Sequence, residues 1–522
     1  YNALEQRDYP QFWALLLRFS ILAALWIVAS VYRLYLLQML EMRWRVWLTR
    51  RYVQAWMDKQ VYYRLELEHH GTDNPDQRIS EDLSFVTTNT LALSLGLLSS
   101  VVTLVSFVGI LWTISGPLSF AFAGRDITIP GYMVWAAIAY ALLGSVLAHL
   151  IGRPLIGLNF QQQRVEANFR YNLVRLRENS EGVALYRGEP NEQVGLLDRF
   201  ERIRINWWAI MRYTKRLTWF TSGYGQLAVI FPIMVAAPRF FAGAITIGSL
   251  FQIVDAFGRV QDGLSWFVDS YRDLANWRAS VDRLLTFDQA LQRAEAESAA
   301  GGITVVRAPG NTIRAEELNL ALPNGRVLLS DTSLSIEPGN RILISGPSGS
   351  GKSTLFRALA GIWPFGTGRI RVPERARVLF LPQRPYLPIG TLREVVTYPS
   401  AADAFPEATV KEVLELCELA PFTDRLDETA NWSLQMSLGE QQRLAIARAL
   451  LQKPEWLFLD EATASLDEPI EARLYRLIQE RLPNTTVVSI AHRPGVARHH
   501  TKRFKLVPEG DRMRLAPAEG AM

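Results

Sequence analysis

From Leu91 to Ser115 the chain carries no charged side chain. That run is long enough to supply the about 20 apolar residues a helix needs to cross a bilayer. Comparable runs fall near 12–37, 131–152, 217–237 and 240–262. The first contains Arg18 and Arg33, which can snorkel or face a polar cavity. Five such stretches with tryptophans near their ends are hard to bury in one water-soluble core. Residues 1–287 are therefore expected to form a multi-pass, all-α domain in a lipid bilayer. Residues 313–522 read as a soluble α/β domain. Between them, 288–312 includes a small, charged, glycine-ended stretch from Gln292 to Gly302, expected to be a linker.

Charge sets the expected orientation. Arg43, Arg45, Arg50, Arg51 and Lys59 lie between the first and second runs. A dense basic set from Arg153 to Arg216 lies between the third and fourth. The 116–130 loop offers only Arg125, beside Asp126. The positive-inside rule places both basic connections, and the α/β domain, in the cytoplasm. Their helical pattern suggests membrane helices extended beyond the bilayer. Five crossings put Tyr1 outside; a cytoplasmic start needs one more helix before it. The net charge of +5 over 522 residues is modest, and the arginines cluster around the apolar runs, so nucleic acid is not an expected partner. A single cysteine, Cys417, excludes an intrachain disulfide.

In and just beyond the last apolar run Asp255, Asp262 and Asp269 recur at intervals of seven, which places them on one helix face. Arg259, one turn after Asp255, can pair with it. Two readings stay open. The acids sit in cytoplasmic water or beside arginines, or they line a water-filled passage that favours cationic solutes or relays protons.

The second half holds the stretch Gly346-Pro347-Ser348-Gly349-Ser350-Gly351-Lys352-Ser353, which fits G-x-x-x-x-G-K-[ST]. Such a loop wraps a triphosphate in backbone N–H groups, and glycines allow that close approach. Lys352 supplies a positive charge to the β- and γ-phosphates, and the Ser353 hydroxyl can ligand Mg²⁺. Arg341–Ser345 reads as a buried strand before the loop, and Thr354 opens a helix after it. Downstream, Trp456-Leu-Phe-Leu-Asp460-Glu461 is an apolar strand ending in two acids. Asp460 is placed to hold Mg²⁺ and Glu461 to act as general base on the attacking water. ATP and Mg²⁺ are the expected ligands.

Between these lies Met436-Ser437-Leu438-Gly439-Glu440-Gln441-Gln442-Arg443, opening a predicted helix. Here the chain resembles the ATP-binding-cassette (ABC) family, whose signature is usually Leu-Ser-Gly-Gly-Gln. The resemblance implies that Ser437, with Gly439 and Glu440, binds the γ-phosphate of ATP held by an opposite subunit. Gln383 in Leu-Pro-Gln-Arg-Pro matches the glutamine loop that senses Mg²⁺, Ala464-Ser-Leu-Asp467 the D-loop, and His492 in Ser-Ile-Ala-His-Arg the switch histidine. Leu438 and Glu440 depart from the usual glycine and glutamine. No aromatic residue stands near Leu320–Gly325, where the family often stacks one on adenine.

Asn74-Pro-Asp-Gln-Arg-Ile79 and Glu181-Gly-Val-Ala-Leu-Tyr-Arg-Gly188 are similar to marks of a group that contains the peroxisomal subfamily D half-transporters and the bacterial SbmA/BacA-like peptide transporters with a fused ATPase. Arg45-Val-Trp-Leu-Thr49, Ile151-Gly-Arg-Pro-Leu155, Phe169-Arg-Tyr171 and Ala237-Pro-Arg-Phe240 favour the bacterial form. That resemblance implies a homodimer of exporter-type fold in the bacterial inner membrane, importing peptides or other hydrophilic solutes. The alternatives are an exporter or lipid/acyl-CoA transporter of the subfamily D kind, or a membrane-anchored ATPase that transports nothing.

Overall fold

A computed structural model of the chain describes residues 2–69, 74–122, 125–300, 302–510 and 512–518. Two compact units emerge. One comprises 1–53 and 74–287, the other 54–73 and 288–522.

The first unit is built from long helices: Tyr9–Met57, Leu83–Ser115, Tyr132–Glu178, Glu189–Phe241 and Ile247–Asp269, with the first part of Tyr271–Ala300. Four described helical segments are long and apolar enough to cross a membrane, those containing the expected runs near 12–37, 91–115, 131–152 and 217–237. The fifth expected run, 240–262, is not one continuous helix. The chain turns at 242–246, and Ile247–Asp269, with 23 residues, is long enough but carries Asp255, Arg259 and Asp262, more charge than the other four hold in their apolar stretches. It packs through Ile253, Ala256, Phe257 and Val260 against Leu111, Tyr132, Met133 and Ala236. The apolar core of this unit therefore includes one face of a charged helix. Between the second and third runs, Pro117–Phe122 pairs antiparallel with Arg125–Pro130.

Helices Tyr132–Glu178 and Glu189–Phe241 run side by side, joined through the short helix Ser180–Tyr186. Tyr140 and Tyr224 stack at 4.4 Å between centroids. Each hydroxyl donates to the other's backbone carbonyl, at 2.7 and 2.8 Å. Further along, Asn206 Nδ2 donates to Leu158 O and to Gln162 Oε1, both at 2.9 Å. After Asn74-Pro-Asp-Gln, a π-turn over Arg78–Asp82 leads into Leu83–Ser115. The extra residue in that turn re-aims Asp82. Its buried carboxylate meets Arg78 at 2.5 Å and Arg283 at 2.6 Å.

The expected linker 288–312 takes a different form. Tyr271–Ala300 is helical to its end, because Ala, Gln, Glu and Arg are strong helix formers, and Ile303–Ala308 is already a strand. In the second unit a ten-stranded sheet has its parallel strands in the order Lys502–Glu509, Arg341–Ser345, Thr486–Ile490, Trp456–Asp460, Val378–Leu381. The central three are buried almost throughout, and their continuous apolar runs suit parallel strands covered on both faces. Ile344 pairs with Ile490, Asp460 with Ile490 and Leu459 with Leu381. Four strands thus end level, and the next residues from each meet at one edge, where open α/β sheets bind ligands.

Candidate functional site: the nucleotide edge of the sheet

The phosphate loop leaves Arg341–Ser345 at this edge. Gly349 and Gly351 have φ of +74° and +93°, a left-handed region that favours glycine. At Gly351 a Cβ would also meet Leu329 Cδ1 at 2.7 Å. Lys352 and Thr354 lie in the first turn of the helix Lys352–Leu359, both buried. Lys352 Nζ donates to Gly346 O at 3.0 Å and Pro347 O at 2.8 Å, which folds the ammonium into the loop. Burial lowers its pKa, opposed by the charges of Glu461 and Asp460. The Ser350 hydroxyl is buried with no hydrogen-bond partner. A charged donor facing its own loop carbonyls and an unsatisfied hydroxyl fit a cradle for a polyanion.

Asp460 ends the neighbouring strand. Ser353 Oγ donates to its Oδ1 at 3.0 Å. Burial raises the Asp460 pKa, and the Glu461 charge adds to this against the Ser353 bond. One hydroxyl and one carboxylate side by side suit Mg²⁺, which keeps most of its waters and takes its remaining ligands from phosphate oxygens. Bound there, the ion would offset charge on the phosphates and bring the Asp460 pKa down. Among the described residues no group of three or more His, Cys, Asp or Glu side chains is arranged to hold a metal ion by itself.

Glu461 adopts φ of +49°, uncommon for a side chain with a Cβ, while its N–H donates to Ile490 O at 3.0 Å. The turn aims the carboxylate along the edge. Gln383 Nε2 donates to Oε2 at 3.1 Å, and His492 Nε2 stands 3.0 Å from Oε1. The structure therefore brings together Lys352, Ser353, Gln383, Asp460, Glu461 and His492 from four strand ends.

The signature residues sit apart in their bonding. Ser437 caps the helix Leu438–Gln452 in a capping box with Glu440. Ser437 Oγ donates to Glu440 Oε2 at 2.8 Å, and the same oxygen accepts the Ser437 N–H at 2.8 Å. The departure to Glu440 thereby has a local reason: the third helical position of a Ser-x-x-Glu box returns the cap. None of these bonds reaches the phosphate loop. Asp467 is an exposed N-cap of Glu468–Arg481 without a side-chain cap bond. Leu320 is buried core, and Leu322–Gly325 is a turn without an aromatic ring. Asp255, Asp262 and Asp269, like Arg259, are exposed on the side of their helix away from Ile253, Ala256, Phe257 and Val260, and among the described residues Arg259 forms no ion pair with Asp255.

Two residues escape a motif reading. Gln442 is fully buried; it donates to Gln383 O at 2.9 Å and accepts from Ser465 N at 2.9 Å. It ties the glutamine loop to the D-loop, and a polar side chain on an otherwise buried helix is the signal for it. Arg493 donates to Leu466 O and, at 3.1 Å, to Ala464 O, and stands 3.6 Å from the buried Glu471. It fixes the D-loop to the residue after His492. Arg493→Ala should lower kcat for ATP about 5- to 30-fold with KM little changed, since two carbonyls and a carboxylate lose a charged donor at about 1–2 kcal/mol of coupling. Steady-state ATPase kinetics check it; a change confined to KM contradicts this positioning role.

Comparison with known proteins agrees with this geometry. Residues 1–241 match the family model "ABC transporter transmembrane region 2", and 329–464 match the model "ABC transporter". An uncharacterized ABC transporter ATP-binding protein of Synechocystis is 38% identical, covering 99% of this chain and 77% of that protein. The inner membrane ABC transporter ATP-binding protein YddA of Escherichia coli is 34% identical over 95% of this chain and 87% of its own length. The chloroplastic ABC transporter D family member 2 of Arabidopsis thaliana is 35% identical over 97% and 79%. A bacterial Atm1-family ABC exporter solved with ATP bound shares the fold at TM-score 0.72 and 20% identity, over 98% and 89% of the two chains. A helical transmembrane domain fused to an ATPase with these motifs, and relatives matched along most of their length, show that this chain belongs to the ABC transporters.

Proposed function

We propose that the chain is half of a homodimeric, exporter-type ABC transporter related to subfamily D, with a cytoplasmic ATPase in a bacterial inner membrane. The observation behind the dimer is the split in the nucleotide site. The described residues hold one phosphate loop and one signature, and the bonds of Ser437 close on its own helix rather than on that loop. A second copy would supply Ser437 across the nucleotide held by Lys352, with Ser353, Gln383 and Asp460 around Mg²⁺. Glu461 would activate water, and His492 would hold the γ-phosphate. Closure favoured by ATP would pass to the membrane helices through the turns at 74–82 and 181–192, where Leu185 and Tyr186 are exposed.

Subfamily D membership is supported by the Arabidopsis relative and by the mouse ATP-binding cassette sub-family D member 3, 26% identical over 92% of this chain. These relatives and the exporter fold favour the exporter or lipid-type reading over the peptide import expected from the SbmA/BacA-like resemblance. The exposed acid stripe is the one feature that favours a cationic cargo. The test is ATP-driven movement of labelled cationic peptide, acyl-CoA and cobalamin in proteoliposomes of defined orientation. Movement of the acyl compound away from the ATPase side is expected. Accumulation of peptide toward the ATPase side reverses the assignment, and no movement of any cargo leaves an anchored ATPase.

A further inference from the structure

Beyond the apolar parts of helices Tyr132–Glu178 and Glu189–Phe241 lies a groove of ≈ 790 Å³ between them. It falls within the range of ligand-sized sites. Arg164, Arg199, Arg202 and Arg212 line it with Asn168 and Asn172, and no acid is among its lining residues. Arg202 is offset by Asp198 at 3.0 Å in an exposed pair. Arg199 and Arg212 are steadied by donating to the carbonyls of Gly195 and Trp208 on their own helix. The Asn206 bridge to Leu158 and Gln162 closes one part of the groove. The rings of Phe169 and Phe200, 5.8 Å apart, join the same two helices.

Four arginines line one groove and, among the described residues, only Arg202 is offset by an acid, so the positive charge of Arg164, Arg199 and Arg212 favours an anion between them, and the planar fork of arginine suits phosphate oxygens. We propose that this groove binds a phosphate-bearing anion. Its depth argues for a water-soluble ligand. Arg153 and Arg216 mark the ends of the apolar stretches, and at 1.5 Å per residue Arg164 lies ~16 Å and Arg199 ~25 Å beyond them. Both are too far out for the phosphate of an embedded lipid, while Arg212, one turn from Arg216, is not. Such a site supplies the anionic end of a cargo with a place to dock, so it rests on the transporter reading, but its test does not involve transport.

The test is equilibrium binding of inorganic tripolyphosphate to the full chain in detergent, with the nucleotide site saturated by a non-hydrolysable ATP analogue. Saturable binding that weakens tenfold or more in Arg164→Gln/Arg199→Gln, and is unchanged in Arg307→Gln of the other unit, is expected. Equal binding by the double variant overturns the proposal, as does absence of saturable binding. If added vesicles of anionic phospholipid abolish the tripolyphosphate binding, the source is a lipid headgroup and the water-soluble assignment fails. A second readout guards against misfolding. Cys417 is buried, and burial pushes its thiol up to about 12, so a maleimide reports only the thiol introduced by Asn172→Cys. Tripolyphosphate should slow that labelling several-fold; an unchanged rate counts against the site.

Discussion

Glu461→Gln is expected to reduce ATP turnover by about 10²–10⁴-fold while leaving ATP bound. The amide keeps the shape and the bond to Gln383 but cannot accept a proton from water. That loss corresponds to roughly 3–5 kcal/mol in the barrier. The backbone of residue 461 should hold its left-handed turn, because the bond to Ile490 O involves the main chain. In the proposed homodimer ATP should therefore still close the two copies, and the variant should accumulate as a nucleotide-bound dimer. Single-turnover hydrolysis together with retention of labelled ATP on the purified protein checks both halves. Near-normal turnover would remove Glu461 from the role of base.

Lys352→Ala should act earlier in the cycle. Its ammonium sits buried against Gly346 O and Pro347 O, and burial holds its pKa down while Asp460 and Glu461 oppose that shift. An arriving phosphate supplies a stronger partner than two carbonyls. Without the lysine, ATP affinity should fall at least tenfold and hydrolysis should reach background. Removing the charge should not unfold the domain, since the group it deletes is one that burial disfavours. Nucleotide titration by fluorescence beside a thermal melt separates the two effects. Intact binding with lost turnover would reassign Lys352 to the chemical step alone.

The parts of this molecule legible in its sequence are those governed by local pattern. The phosphate loop, the strands Arg341–Ser345 and Trp456–Asp460 and the four apolar runs need only spacing and burial to be read. Placement across the sheet is a long-range property. Nothing near Gln442 says that its amide will join residues 383 and 465, and nothing near Arg493 says that it will reach Ala464 and Leu466. The helix Ile247–Asp269 is harder to read, because its charges and its apolar stripe share one stretch. Hydropathy averages over all sides of a helix, whereas Ile253, Ala256, Phe257 and Val260 form a single packed stripe opposite Asp255 and Asp262. The segment 288–300 shows that small charged residues describe a good helix as readily as a linker.

The reciprocal bonds of Tyr140 and Tyr224 have a mechanical consequence. A slide of one helix past the other by a single turn, about 5.4 Å, would break both bonds and the ring stack together. The Asn206 bonds to Leu158 and Gln162, about 27 Å along, and the Phe169–Phe200 contact tie the same two helices again. The pair is therefore locked in register and tilts as one body. The longer has 53 residues, hence a shaft of ~80 Å. A tilt of the pair by about 10° about the level of the tyrosines would carry a point ~50 Å away through ~9 Å. The length of the shaft, rather than any large local rearrangement, then sets the travel.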